Sequence, residues 1–88
     1  MIDKRADPVA WSIFMHELED AQEHLASLCK ELNSNCDYSD IEFQIDIAHV
    51  YSHLNRAWHG RNATEKQSDD DNLWNQWSQF PTDIEPLT

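Results

Sequence analysis

"DIEFQIDI", residues 40 to 47, alternates polar and apolar side chains without a break, which is the period of a half-buried β-strand. Whether this octet is a strand or the start of a helix decides the fold. Ser39 stands before it as an N-cap, Glu42 follows at the capping-box position, and Tyr38 with Phe43 can form a hydrophobic staple. The following "AHVYSHLNRAWH", residues 48 to 59, continues at helical spacing, and Gly60 supplies a C-terminal stop. A lone strand would need pairing partners that this chain does not offer. The spacing therefore predicts a helix over 40–59.

Read as a helix, this segment carries two apolar faces. Phe43, Ile47, Val50, Tyr51, Leu54, Ala57 and Trp58 occupy about a third of the circumference, while Ile41, Ile45 and Ala48 form a shorter stripe away from it. Two interleaved stripes account for the β-like alternation. One face packs on a neighbouring helix; the stripe of Ile41, Ile45 and Ala48 is left for a second copy of the chain, the expected dimer interface.

Upstream, Asp7 and Pro8 read as an N-cap with proline at the first helical position, where its missing N–H costs nothing. From there Trp11, Phe14, Leu18, Ala21, Leu25, Leu28 and Leu32 recur at steps of three and four, predicting a helix over 8–32 with one continuous apolar stripe. His16, Glu19, Asp20, Glu23, Ser27, Lys30 and Glu31 are assigned to the solvated side. "NSNCDYS", residues 33 to 39, is a short turn, so the two helices are expected to form an antiparallel hairpin.

Downstream, residues 60–68 read as a polar linker. Ser68 or one of Asp69 to Asp71 can cap a short helix over 70–80 that is ended by Pro81, with an extended tail over 81–88. Trp74, Trp77 and Phe80 are then expected to fold back over Trp11, Phe14 and Trp58 as one aromatic cluster at the open end of the hairpin. The predicted architecture is a single all-α domain: an antiparallel hairpin of two long helices plus a short C-terminal helix, assembling as a dimer into a four-helix bundle.

Composition narrows the function. Seventeen acids against six bases give a net charge of −11, which repels phosphate backbones, so nucleic acid is not an expected partner. Residues 1–40 hold nine acids and three bases and residues 68–88 hold five acids and no base, so the excess lies in the first segment and the tail. No run of about 18 apolar residues is present to span a membrane. Two cysteines, Cys29 and Cys36, are too few for a disulfide scaffold, and nothing at the N-terminus resembles a signal peptide; a cytoplasmic location with reduced thiols is expected.

Candidate chemistry is sparse. Asp46, His49 and His53 share a helix face and are the one weak metal-ligand set, but no matching donor is evident on the first helix, so no metal and no cofactor is expected. His16, His24 and His59 read as surface residues. Acids at Glu19 and Glu23, and at Glu42 and Asp46, invite an analogy with helical nucleotide pyrophosphohydrolases, which hold magnesium between facing helices; here the acids fall on solvated faces. One glycine excludes a glycine-rich phosphate loop, and Cys29 lies at the edge of an apolar stripe where thiols are inert. No catalytic residue is assigned. The expected function is a small acidic interaction or regulatory module that binds a protein partner. The alternatives are a DNA-mimicking inhibitor of a nucleic-acid-binding protein and a metal-dependent helical enzyme.

Overall fold

The alternating octet is helical. In the computed structural model, which describes residues 1–88, α1 runs Pro8–Ser34 and α2 runs Asp40–His59, and no strand is present. Ser39 caps α2 by accepting a hydrogen bond from the Glu42 N–H, 3.2 Å away. Pro8 stands in the first turn of α1, although the Asp7 side chain makes no cap; Asp3 instead accepts from the Arg5 and Ala6 N–H groups, 2.8 and 2.9 Å away, and turns the chain into the helix. The two long helices pack against each other as a hairpin closed by the turn at Asn35–Ser39.

Two short helices follow. The stretch read as a polar linker contains α3, Glu65–Ser68, started by a full capping box: the Thr64 hydroxyl accepts from the Gln67 N–H while the Gln67 side chain accepts from the Thr64 N–H. α4, Asp71–Trp77, is capped by Asp70, whose carboxylate accepts from Asn72 and Leu73. It ends at Trp77 instead of running on to Phe80, and the chain from Gln79 onward is extended or turned. All the non-hairpin segments gather at the open end. The Ile2 N–H donates to the Arg61 carbonyl at 2.8 Å, α3 packs on α1, and α4 packs on α2.

Gly60 caps α2 with φ at −90°, an ordinary right-handed value, so its value here is clearance and not conformational freedom. A Cβ there would stand 2.9 Å from the Arg56 carbonyl oxygen and 3.4 Å from the Trp77 ring.

The packed face of α1 overlaps the stripe read in the sequence only in part: Ala21 and Leu28 lie in both, while Ala10, Glu17 and His24 join them from beside the stripe. Ala10, Ala21 and Leu28 are buried, whereas Leu25 and Leu32 are exposed. Small alanines let the backbones approach, and the ionic groups of Glu17 and Arg56 meet across the seam. The seam between the helices is thus polar along one side and apolar along the other.

Candidate functional site

Two surfaces follow from that packing. The first is the apolar flank. Leu25 and Leu32 of α1 stay 44% and 48% exposed, and Phe43 and Leu54 of α2 41% and 42%. Towards the open end the flank becomes a groove lined by Phe14, Leu18, Leu54, Ala57 and Trp58. Beyond Trp58 a cleft of about 520 Å³ continues between Tyr51 and the tail residues Phe80 and Ile84.

The second is the polar side of the seam. Glu17 reaches from α1 to two groups on α2: its Oε1 accepts from Arg56 Nε at 2.9 Å, and its Oε2 lies 2.8 Å from His53 Nδ1. Arg56 is buried and its other donors are also used, with Nη1 donating to Ser78 Oγ at 2.9 Å and the guanidinium lying 4.3 Å from the Trp74 ring centre. Arg56 Nη2 is 3.0 Å from His53 Nδ1, but a guanidinium can only donate, and an Nδ1–H turned to Glu17 cannot accept. The carboxylate decides the tautomer: Nδ1 carries the proton and Nε2 presents a lone pair.

That lone pair points into a group of three imidazoles. His53 Nε2 is 3.2 Å from His49 Nε2, and His24 crosses from α1 to lie with its ring centre 4.2 Å from His49 and 5.2 Å from His53. One nitrogen from each of the three rings falls within 4.8 Å of the others. Burial, then the neighbouring His24 and His53, holds His49 below the usual histidine pKa. Beside the rings a cleft of about 390 Å³ carries the carboxylates of Glu31, Glu42 and Asp46.

The residues singled out in the sequence are distributed as follows. Asp46 does not join His49 and His53; its carboxylate accepts from the Tyr38 hydroxyl, and loss of water together with that bond pushes the phenol up to about 12. His24, read as a surface residue, is the donor that α1 was thought to lack, and His53 and Arg56 are buried. His59 donates from Nε2 to the Gln79 carbonyl at 3.0 Å, while His16 is exposed. Glu19 and Glu23 are exposed, and the acid that α1 brings to Glu42 and Asp46 is Glu31.

Most of the aromatic residues gather about Phe14: Trp11 lies with its ring centre 5.6 Å from it, Trp74 and Trp77 line a cavity with Phe14, Ala10 and Arg56, and Trp58 shares a groove with it, while Phe80 crosses to Tyr51, 5.1 Å away. Trp58 stacks under Arg61 at 3.8 Å and donates from Nε1 to Asp83 at 2.9 Å, which lowers the pKa of that carboxyl. The tail is pinned along α2 by Asn55 donating to the Ser78 carbonyl, with Trp77 on the side of Ala10 and Phe14 and Phe80 beside Tyr51. Ile41 and Ile45 are 71% and 63% exposed, and Ala48 is exposed with them.

Glu17, His24 and Ser78 escaped the sequence reading. The available signal was the heptad spacing of Ala10, Glu17, His24 and Glu31, a polar line adjoining small residues, which marks a close helix contact. Neither the known protein families, nor the curated proteins, nor the solved structures contain a match to this chain.

Proposed function

We propose that the chain is a protein-interaction module that works as a two-fold dimer, with two hairpins packing flank to flank into a four-helix bundle. The observation that carries the reading is the thinness of the core: eleven residues are buried, no large side chain is fully buried, and thirteen large apolar side chains remain exposed. Single exposed apolar residues are ordinary, but an apolar groove shared by two adjacent helices, here Phe14 and Leu18 of α1 with Leu54, Ala57 and Trp58 of α2, suits association. Leu25, Leu32 and Phe43 are exposed on the same two helices and would extend it. A second copy supplies an identical surface, and a two-fold axis lets each flank cover the other. The stripe of Ile41, Ile45 and Ala48 comes from α2 alone and is the narrower candidate for the same contact.

Charge selects the further partner. At −11 per chain, a dimer repels nucleic acid and membranes of like sign and attracts proteins with basic surfaces, an attraction that salt weakens. The free, exposed thiols of Cys29 and Cys36 suit a reducing compartment and support a cytoplasmic role.

Sedimentation equilibrium at micromolar concentration tests the assembly. The wild-type chain is expected at twice its monomer mass, Leu25→Glu at the monomer mass, and Ile45→Glu unchanged. Dissociation by Ile45→Glu alone would move the contact to the α2 stripe, and a monomeric wild type would overturn the proposal.

A further inference from the structure

We infer that His24, His49 and His53 form a zinc site bridging α1 and α2, with Glu17 as the residue that orients His53. The geometry favours it. On a tetrahedral ion with zinc–nitrogen bonds of about 2.0–2.1 Å, two donor nitrogens lie about 3.3 Å apart, and His49 Nε2 and His53 Nε2 are 3.2 Å apart. The widest donor separation of 4.8 Å closes to that value with a shift of about 1.5 Å. His24, only half-buried, stacked on His53 and tilted against His49, supplies that shift by turning its side chain.

The surrounding groups match an ion. A metal-bound histidine generally hands its other ring N–H to a carboxylate, which fixes the tautomer and raises ligand basicity. His53 makes that bond to Glu17, 2.8 Å away, and turns Nε2 to its neighbours. The charge of Arg56 nearby is balanced by the same carboxylate. Access and attraction come from the cleft beside the rings, where Glu31, Glu42 and Asp46 draw in a cation. Three imidazoles with a fourth position open to that cleft suit zinc, whereas magnesium requires oxygen donors.

The site lies on the polar side of the seam, away from the flank proposed for dimerisation, so the two proposals fail independently. The test uses the whole chain carrying Cys29→Ser and Cys36→Ser, so that the exposed thiols cannot bind the ion, after stripping with a chelator. Titration calorimetry should give one zinc per chain, and magnesium should give no heat. Cobalt(II), substituted for zinc, should show the intense visible absorption of a tetrahedral site. His24→Gln and His49→Gln should each weaken zinc by at least about 100-fold, beyond the 10- to 100-fold typical of losing an outer partner, and abolish the cobalt spectrum. His16→Gln, an exposed control, should change neither.

Zinc uptake that persists in His24→Gln, equal loss in His16→Gln, or no uptake by the wild-type sites overturns the assignment. Circular dichroism checks that each variant keeps its helices. If His24→Gln does not, X-ray absorption on the zinc-loaded unsubstituted histidine set decides instead: three imidazole ligands support the site and fewer refute it.

Discussion

Glu17 is the residue on which the register of the hairpin turns. Its carboxylate serves a buried guanidinium and a buried imidazole at once, and both lie on the opposite helix. Removing one member of such a pair leaves the other charge desolvated and uncompensated, which costs about 3–5 kcal/mol. Because the Glu17 side chain is still 19% exposed, the lower end applies. Glu17→Gln is therefore expected to lower the urea-melt stability by about 3 kcal/mol; a loss under about 1 kcal/mol, as for ordinary surface changes, would show that the pair is not what sets the helix rotation. Glu17 and His24 were hard to read in one dimension for a physical reason. Each is a polar residue whose burial depends on a partner on the other helix, and Arg56 and His49 are more than twenty residues away in the chain. Periodicity detects apolar faces, so it favoured Leu25 and Leu32 over the polar line beside them.

At the scale of elements, the long helices were legible because their beginnings are written locally: Ser39 does cap α2, and Pro8 does open α1. α3 was not, since four residues carry no period and only the pairing of Thr64 with Gln67 announces it. The tail helix stops at Trp77 because Ser78 and Gln79 turn their carbonyls to Asn55 and His59, bonds outside the helix that no local signal contains. This docking makes α4 a structural part of the fold. Trp77 is half-buried, and its ring lies over Gly60, 3.4 Å from where a Cβ would stand. Trp77→Ala should cost about 2 kcal/mol, roughly half the value for a fully buried aromatic, as measured by chemical denaturation. A change below about 0.5 kcal/mol would mean that the tail rides on the surface.

For the molecule as a whole, the all-helical class and the hairpin followed from spacing, one glycine and a short turn, whereas the distribution of the aromatic rings depended on the path of the tail. That path leaves the two ends of the hairpin unequally held. At the open end, Ile2 is tied to Arg61, α3 lies on α1, and α4 with its extension grips Asn55, Arg56 and His59. At the turn, Asn35 to Ser39 close the hairpin with their own local bonds, and Leu32, Ile41 and Ile45 face solvent. Opening free energies in a native protein follow the buried contacts that each segment must give up. Amide hydrogen exchange on the monomeric Leu25→Glu chain should therefore run as a gradient along the hairpin, with residues 53–57 protected to near the global limit and residues 29–34 and 41–45 exchanging at least about 100-fold faster through fraying from the turn. Uniform protection along α2 would contradict this. A gradient would mean that the molecule unzips from one end only, and that the three histidines, lying midway, mark the boundary between the half that breathes and the half that does not.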